Sequence, residues 1–355
     1  MSVASVIKEL EFSNITVFEE LRLAPSPGIN VVLGSNGTGK SHLLKLVYIL
    51  HSFLSNPEHR EIESKQRYAE RFSEAIMRNF LVDTVGRLSS RVQGHKHSTA
   101  TMVAGGKNGA SLRMDFSTRS TFADLSMGGP IELRSPVFVP SREMLSMFQG
   151  FLSSYRLGHV RVEEFYADLA AYLGVGGSPG KLPADLREYI DTLEGILDAS
   201  IVYDAAREEF YIKQRGLGKI EIGLAADGHK KIGMIMHLIK NGALRGGETV
   251  MVDEPEAHMN PSAARPIVEL LLQLARNGNQ VYVSTHDYFI LKYFELLREE
   301  YQDVGVQFLN LYRDKKTDKF VQYETGSSLY DLEHDQVLCE FEAIHREAMT
   351  SFWES

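Results

Sequence analysis

The sequence predicts an α/β fold in which helices cover both faces of a parallel sheet, and three observations support this prediction. First, strand and helix patterns alternate through the last third of the chain, as they do in parallel sheets. Second, an apolar strand, a glycine-rich loop and an amphipathic helix follow one another at residues 29–54. Third, the 355 residues are 43% hydrophobic and 24% charged, an ordinary globular composition. This length suits two lobes, or one domain with insertions.

Strand patterns dominate the first forty residues. Residues 6–12 and 15–23 have β-type content with partial alternation, and INVVL at 29–33 is a continuous apolar strand of the buried kind. A helix is predicted after the glycine-rich loop because its apolar residues fall on one face. These residues are Leu43, Leu44, Val47, Leu50 and Leu54.

The pattern changes three times before residue 140. Residues 56–79 are highly charged and helix-prone, and we interpret them as a solvated helical face. Residues 98–116 predict a hairpin that turns at GGKNG. A short strand, Val137–Val139, is stopped by Pro140.

The middle of the chain has a helical pattern. Residues 144–199 are interrupted at 174–180 by GVGGSPG, which predicts a flexible joint. The apolar stripe that follows at helical spacing consists of Leu186, Ile190, Leu193 and Leu197. We therefore predict a helical insertion subdomain at 146–199 between the two parts, 1–145 and 200–355, of a discontinuous domain.

The last third alternates between strands and helices. In chain order the predicted elements are strands within 200–216, a helix at 229–241, the strand TVMVDE, a second helix, the strand QVYVST, a third helix, a strand at 304–313 and a terminal helix at 335–348. Asn260 caps the second of these helices, Pro261 takes its first position, and the helix runs to Gly278.

Charge and cysteine content limit the class of protein. Acidic residues outnumber basic ones by 47 to 38, which gives a formal net charge of −9. This balance argues against a surface dominated by contacts to a DNA backbone, although a local basic groove is compatible with it. The single cysteine, Cys339, excludes an intrachain disulfide framework and fits a reducing compartment. Without a signal-peptide pattern or an apolar run of membrane-spanning length, we expect a soluble cytoplasmic protein.

The glycine-rich loop GSNGTGKS, at residues 34–41, matches the phosphate-binding P-loop pattern. Its glycines let successive backbone N–H groups converge on a phosphate, which the N-terminus of the following helix also favours. Lys40 can reach the β- and γ-phosphates as a point charge, and the Ser41 hydroxyl can bind Mg²⁺. The sequence therefore predicts a P-loop NTPase. The predicted nucleotide-binding residues are Asn36, Gly37, Thr38, Gly39, Lys40 and Ser41.

A P-loop needs a carboxylate from a second strand, and TVMVDE supplies it. Its apolar residues end at Asp253 and Glu254, where a parallel strand delivers side chains to the edge that carries the loop. We predict that Asp253 holds Mg²⁺ together with Ser41, and that Glu254 orients or deprotonates the attacking water. Glu256 has two open interpretations: it supports the same site, or it caps the following turn.

A histidine follows the next predicted strand. His286 comes directly after VYVST, where it could contact a γ-phosphate at the same edge of the sheet. A lone histidine usually has a structural role, but this position leads us to assign His286 to the catalytic group with Glu254.

In combination, GSNGTGKS, VMVDEPEAHMNP and VYVSTHD resemble the ATPase core of ABC-type proteins of the SMC, RecF and OLD kind. The resemblance is closest to stand-alone bacterial AAA-labelled ATPases whose carboxylate strand continues as DEPE…NP, and it does not cover the helical middle. It implies a two-lobed ABC-type ATPase head with ATP and Mg²⁺ as cofactors. It also implies a homodimer, or a higher homo-oligomer, in which two heads enclose two ATP molecules.

The same resemblance implies a signature segment that contacts the nucleotide of the partner head. The matching segment is LAADGHKKIGMI, at 224–235, with Asp227 and Gly228 as the contacting residues. Ala226 stands where the family commonly has a serine, so one hydroxyl donor to the γ-phosphate is lost. Loss of a preorganised donor costs about 3 kcal/mol of barrier, or about 10²–10³ in rate, and we expect slow hydrolysis. The groups that could compensate are backbone N–H groups and the side chains of Asp227, His229 and Lys230.

Two further assignments have alternatives. VPSREM matches the loop between the lobes, so Arg142 is a candidate γ-phosphate sensor or a reader of the partner, with a surface salt bridge as the alternative. Phe12 and Phe18 precede the P-loop at a suitable distance for an adenine contact, with a core role as the alternative.

The sequence supports more than one function for such an ATPase. The leading hypothesis is head dimerisation that switches a protein effector encoded nearby, as in bacterial anti-phage or toxin-like defence, and it rests on analogy. The alternative is a DNA-repair or chromosome-maintenance ATPase that clamps nucleic acid, although the insertion is too short for a long coiled coil. A transporter ATPase subunit is disfavoured by the large insertions and weak signature, and we expect no membrane partner.

Overall fold

The computed structural model describes residues 6–56, 64–90, 97–105, 109–129, 133–176, 182–313 and 319–354. Within these residues the chain forms fourteen strands and nine α-helices. Strands β1 to β14 are Ile7–Ile15, Phe18–Leu23, Ile29–Leu33, His97–Ala104, Ala110–Ser117, Asp124–Gly128, Val137–Val139, Ala199–Asp204, Glu209–Gln214, Gly218–Glu221, Thr249–Asp253, Gln280–Thr285, Val306–Tyr312 and Gln322–Gly326. Helices α1 to α9 are Lys40–Ser55, Lys65–Phe80, Phe151–Arg156, Glu164–Leu173, Ala184–Leu197, Asp227–Lys240, Ala264–Arg276, Tyr288–Leu297 and Gln336–Glu354.

A six-stranded sheet carries the glycine-rich loop at the end of β3. Its strand order is β14-β13-β3-β12-β11-β7, in which every neighbouring pair from β13 to β7 is parallel and β14 is antiparallel to β13 at the edge. β3 and β12 are buried along their whole lengths, as expected for strands covered on both faces. The α/β fold predicted from the alternation of elements is confirmed.

Two hydrophobic cores lie on opposite faces of this sheet, because successive side chains of a strand point in opposite directions. Val31 and Val283 belong to a core formed with α6, α7 and α8. Val32 and Tyr282, their neighbours along the same strands, belong to a second core formed with α1, α2 and an antiparallel sheet. The parallel sheet is therefore the layer shared by both cores.

The antiparallel sheet has the order β2-β1-β4-β5-β6. β4 and β5 form the predicted hairpin, and residues 106–108 of its predicted turn lie outside the described residues. α1 lies between the two sheets, since it packs against β4 and β5 as well as β11 and β12. This position buries most of α1, including the polar residues Tyr48 and His51.

Helices α3 to α5 form the predicted helical middle and pack onto the rest of the chain. Ala170, Leu173 and Ile190 share the core of α6 and α7. α4 also reaches α1, where Tyr48 donates a hydrogen bond of 2.6 Å to Asp168 Oδ2. A three-stranded antiparallel sheet, β10-β9-β8, follows. The division into an insertion and a discontinuous domain stays a prediction, and residues 177–181 of the predicted joint lie outside the described residues.

The helix predicted from Asn260 begins differently from the prediction. Asn260 does accept a capping hydrogen bond from the Ser262 N–H at 3.1 Å. A 3₁₀ turn, Pro261–Ala263, comes first, however, and α7 begins only at Ala264. The reason is local: the Ala263 N–H donates to the Asn260 carbonyl at 2.8 Å, an i to i−3 bond that tightens the first turn.

The terminal helix α9 begins beside the glycine-rich loop. Ser35 Oγ donates a hydrogen bond of 2.5 Å to Gln336 Oε1. Further along, the Phe341 ring stacks on Tyr288 of α8 with the ring centroids 3.7 Å apart. Residues 339–349 are exposed. None of the helices in the described parts of the chain, α9 included, combines the length and apolar character needed to cross a membrane.

Candidate functional site

The glycine-rich loop, residues 34–41, connects the end of β3 to the start of α1. Gly34 has φ of 142° and Gly39 has φ of 94°, a region that L side chains rarely adopt. A Cβ at Gly34 would lie 2.2 Å from the Leu311 carbonyl oxygen, and one at Gly39 would lie 2.5 Å from Val17. Both positions therefore require glycine, and the loop wraps closely around the N-terminus of α1, where an anion is favoured.

Lys40, the first residue of α1, folds back over this loop. Its Nζ donates hydrogen bonds to the carbonyl oxygens of Gly34 at 2.6 Å and Ser35 at 3.2 Å. Burial lowers the pKa of Lys40, and the negative charges of three carboxylates near the end of β11 oppose that effect. The ammonium thus lies in the field of the acidic side chains that follow β11.

Ser41 meets Asp253 because β3, β12 and β11 are neighbours in one parallel sheet. Ser41 Oγ donates to Asp253 Oδ1 at 3.1 Å. Ser284, the register partner of Asp253 on β12, donates its hydroxyl to the same oxygen. These contacts fix the carboxylate of Asp253 beside the first turn of α1.

The donor set at this point fits Mg²⁺. A serine hydroxyl and a carboxylate are hard oxygen ligands, which Mg²⁺ prefers, and Mg²⁺ commonly takes one or two carboxylates together with phosphate and water. Across the described ranges no group of three or more His, Cys, Asp or Glu side chains could hold a metal. Ser41 and Asp253 are suited to bind a Mg²⁺ ion whose other ligands are phosphate oxygens and water.

Glu254 has an unusual backbone conformation, with φ of 44°. Its N–H donates to the Ser284 carbonyl oxygen at 3.0 Å, which continues the β11–β12 pairing by one residue. Its carboxylate Oε1 lies 3.2 Å from Nδ1 of His286. A non-glycine residue in this left-handed region is typical of functional sites, where the surroundings hold the strained conformation.

Glu256 belongs to the same cluster, which favours the first of its two interpretations. Its Oε1 accepts hydrogen bonds from Thr285 Oγ1 at 2.6 Å and from the His286 N–H at 3.3 Å. Burial raises the pKa of Glu256, and the Thr285 hydroxyl opposes that effect. Its Oε2 is buried and has no hydrogen-bond partner among the residues described. Glu256 thus holds the backbone on which His286 lies.

The segment predicted to be the signature, residues 224–235, includes the start of α6, next to the loop that follows β11. Ala226 is the N-cap of α6 and offers no side-chain hydrogen bond. Asp227 accepts a hydrogen bond from Lys230 Nζ at 2.9 Å, which lowers the pKa of that carboxyl group. A Cβ at Gly228 would meet Met259 at 3.4 Å, an ordinary contact. Asp227 and Gly228 therefore lie beside the segment that carries Glu254, not within the phosphate loop.

Arg142 is exposed in the loop after β7 and forms no ion pair within the described residues. The predicted alternative, a surface salt bridge, has no partner for Arg142 in the described part of the chain. Arg142 instead borders a cavity of about 230 Å³ between this loop and the start of α6. The residues that line it are Ser141, Arg142, Glu143, Met147, Asp227, Lys231, Ala257 and His258.

Phe12 and Phe18 are each 1% exposed and belong to the core around α1. At Gly39 a Cβ would lie 3.0 Å from the Phe18 ring, so Phe18 packs beneath the glycine-rich loop. The core role is the one observed for both rings.

The sequence motifs assign no role to three polar residues of this site. Ser284 and Thr285 read as ordinary strand residues, although their hydroxyl groups bind Asp253 and Glu256. Lys231 is 1% exposed on α6, and its Nζ donates to the carbonyl oxygens of Ser141, Asp253 and Glu254. The sequence does contain one indication that Lys231 is buried. It lies four residues before Ile235 and seven before Leu238, so it shares a helix face with apolar residues.

Comparison with known proteins finds one family match and short stretches of sequence similarity. A family profile described as "AAA domain, putative AbiEii toxin, Type IV TA system" matches residues 128–292. The DNA replication and repair protein RecF of Idiomarina loihiensis is 46% identical over 44 residues, and that of Limosilactobacillus fermentum is 42% identical over 45 residues. The matches cover 12% and 13% of this chain and 12% of each RecF chain.

Solved structures of similar fold cover nearly the whole chain. An SMC head bound to the C-terminal winged-helix domain of ScpA has a TM-score of 0.57 at 11% identity, covering 92% of this chain and 99% of that one. An SMC head with an extended coiled coil, bound to a ScpA domain derived from Pyrococcus furiosus, has a TM-score of 0.51 at 10% identity. That match covers 96% of this chain and all of the other. At these identities the similarity shows that the fold is the one SMC heads have.

Proposed function

We propose that this chain is an ABC-type P-loop ATPase of the SMC/RecF-like group, which binds ATP with Mg²⁺ and hydrolyses it slowly. One observation carries the proposal: the P-loop and two strand ends meet at a single edge of the parallel sheet. There Ser41 Oγ lies 3.1 Å from Asp253 Oδ1, and Glu254 lies 3.2 Å from His286. The groups suited to phosphate binding, metal binding and proton transfer are therefore adjacent.

Each group at this edge has a separate role in the proposed reaction. The N–H groups of residues 36–41 and the Lys40 ammonium bind the β- and γ-phosphates. Mg²⁺, held by Ser41 and Asp253, would neutralise charge on the phosphoryl group. Glu254 orients the attacking water and takes its proton, while His286 holds the Glu254 carboxylate and hydrogen bonds to the γ-phosphate.

A second copy of the chain completes the site in this proposal. Asp227 and Gly228 begin α6 and face the nucleotide of the partner head, and Arg142 lines the same cavity as Asp227. The N-terminus of a helix favours the negative charge of a γ-phosphate. Ala226 supplies no hydroxyl at the cap, so hydrolysis is slow and the ATP-bound homodimer, or higher homo-oligomer, persists.

The proposed output of dimerisation is the switching of a protein effector encoded nearby. The description of the matched family, which mentions an AbiEii toxin and a type IV toxin–antitoxin system, supports a role in toxin-like or anti-phage defence. The solved SMC heads are described as bound to domains of another protein, ScpA, which supports a protein partner for heads of this fold.

A nucleic-acid clamp is the second candidate, because the two relatives that match over short stretches are named as DNA replication and repair proteins. The formal net charge of −9 weighs against it, since a clamp needs basic groups against the phosphate backbone. We therefore retain the effector switch as the leading proposal.

The experiment that tests the ATPase proposal is Glu254→Gln. Loss of the general base should lower the hydrolysis rate by about 10²–10⁴ while ATP still binds. ATP should then hold the variant as a dimer, which light scattering measures with and without nucleotide.

The matched control is Lys40→Ala, which should lose ATP binding and therefore any ATP-dependent dimer. If Glu254→Gln hydrolysed ATP at the wild-type rate, the role of Glu254 would be wrong. If it trapped ATP yet stayed a monomer, the two-head mechanism would be wrong.

A further inference from the structure

Lys231 is a buried lysine whose ammonium, among the residues that the structure describes, donates to backbone carbonyl groups alone. It lies on the second turn of α6 with 1% of its surface exposed. Its Nζ donates to the carbonyl oxygens of Ser141 at 3.0 Å and Asp253 at 3.2 Å, and also to that of Glu254. An ammonium group has three protons, so all three have an acceptor.

The three carbonyl groups come from two strand ends that are neighbours in the sheet. Ser141 follows β7, Asp253 ends β11, and β7 and β11 pair in parallel. Burial lowers the pKa of Lys231 to about 8, with the charges of Glu256, Asp253 and Glu254 opposing the effect. The ammonium thus joins the ends of β7 and β11 to α6.

These bonds act on the residue whose backbone is strained. Glu254 has φ of 44°, a conformation that costs free energy in a residue with a Cβ. Its N–H donates to the Ser284 carbonyl oxygen of β12. Its carbonyl oxygen accepts from Lys231 of α6 and, at 3.0 Å, from the Ala257 N–H in the turn that follows. The peptide groups on both sides of the Glu254 Cα are thus fixed by different elements, which orients its side chain toward His286.

We propose that Lys231 is a positioning residue that holds the backbone of Glu254 and links it to the start of α6. Asp227 and Gly228 lie one turn before Lys231 on the same helix. When the first turn of α6 binds the ATP of a second copy, it shifts. The hydrogen bond from the Lys231 ammonium then transmits this shift to the Glu254 carbonyl group. Dimer contact at one end of α6 and water activation at Glu254 are thereby coupled within each chain. This proposal rests on the ATPase function proposed above.

The test is Lys231→Met, which keeps the length of the side chain and removes its donors. We expect kcat to fall by roughly 10²-fold, the loss typical of small misplacements of a catalytic group, with ATP affinity close to that of the wild type. Hydrogen–deuterium exchange of the nucleotide-free variant should be faster at residues 254–259 than in the wild type, with the rest of the sheet unchanged.

The matched control is Lys240→Met, the same change on the same helix. Lys240 is the last residue of α6 and is paired with Glu194 of α5, with 37% of its side chain exposed. Its kcat and exchange rates should match those of the wild type. Lys231→Arg, which keeps a cation with several donors, should recover part of the lost kcat.

Each outcome decides the proposal. It is overturned if Lys231→Met has the wild-type kcat and the wild-type exchange rate at residues 254–259. It is also overturned if hydrogen–deuterium exchange rises equally across the whole sheet. Should the Met variant not fold, Lys231→Gln, which keeps two N–H donors, decides by the same two measurements. If the wild-type protein binds ATP but never hydrolyses it, the proposed function fails, while the exchange result still tests the link between Lys231 and Glu254.

Discussion

His51 lies inside α1, and neither of its ring nitrogens has a hydrogen-bond partner in the part of the chain described here. Burial lowers the pKa of His51 from 6.5 to about 3. The folded protein therefore keeps this ring neutral, whereas the unfolded chain protonates it below about pH 6.5. The contribution of His51 to stability is full above pH 6.5 and is lost as the pH falls from 6.5 towards 3.

We predict that acidification from about pH 7 to about pH 5.5 lowers the free energy of unfolding by about 1 kcal/mol through His51 alone. His51→Leu cannot take up the proton and should lack this part of the pH dependence. Urea denaturation of both proteins at the two pH values measures the difference. His345→Leu, on the exposed part of α9, is the control and should keep the wild-type dependence. Parallel behaviour of His51→Leu and wild type would refute the prediction.

At the scale of single residues, the sequence predicts the position of a side chain well when it follows a strand of the parallel sheet. It does not predict which side chains bind backbone carbonyl groups. Asp253 and His286 each follow an apolar strand, so the common edge of a parallel sheet predicts their proximity to the P-loop. Lys231 is different, because one of its acceptors is the backbone carbonyl of Ser141, 90 residues away. Every residue has a backbone carbonyl, so nothing in the sequence marks this one as a partner. The left-handed backbone of Glu254 is equally hidden, since it depends on contacts from α6 and β12.

At the scale of elements, α6 is held closely against the small sheet that follows the helical middle. Gly233 lies in the interior of α6, where alanine would normally be preferred. A Cβ at this position would lie 2.2 Å from Cγ1 and 2.9 Å from Cδ1 of Ile201 on β8. The glycine therefore sets the distance between α6 and β8.

We predict opposite effects for the same substitution at two helical glycines. Gly233→Ala should lower the free energy of unfolding by about 1–3 kcal/mol, because overpacking against Ile201 outweighs helix propensity. Gly195→Ala in α5 should raise it by about 0.5–1 kcal/mol, since among the described residues no atom outside the backbone of α5 lies within 4 Å of the added Cβ. Denaturation with urea measures both. Changes of the same sign would show that α6 does not depend on this close contact.

Most elements could be predicted from the sequence because their apolar period is clear, and the errors have local causes. The buried strands β3, β11 and β12 are short apolar runs between turn residues, so their pattern is unambiguous. The sequence does not predict β6, β10 and β14, because Leu125 is the one buried residue among them and the others give no alternation strong enough to detect. The 3₁₀ turn before α7 was missed because the Asn260 cap fits both kinds of helix.

At the scale of the whole molecule, the acidic charge separates the two proposed functions. Each copy carries a formal net charge of −9, so two copies repel each other, and salt screens that repulsion. A clamp on nucleic acid has the opposite dependence, because salt weakens contacts to the phosphate backbone.

We predict that the ATP-bound dimer of Glu254→Gln becomes tighter as the salt concentration rises from low to moderate. Sedimentation velocity over a range of protein concentrations measures its dissociation constant. The effect of duplex and single-stranded DNA on wild-type hydrolysis is measured in the same buffers. Stimulation by DNA that falls steeply with salt would favour the clamp over the effector switch.

The contact between Ser35 and Gln336 also has a practical use. Cys339, the chain's sole thiol, is exposed one helical turn after Gln336. A maleimide fluorophore would therefore attach to the unaltered protein at one position, near the glycine-rich loop proposed to bind ATP. Its emission would then follow nucleotide loading in real time, with no engineered reporter.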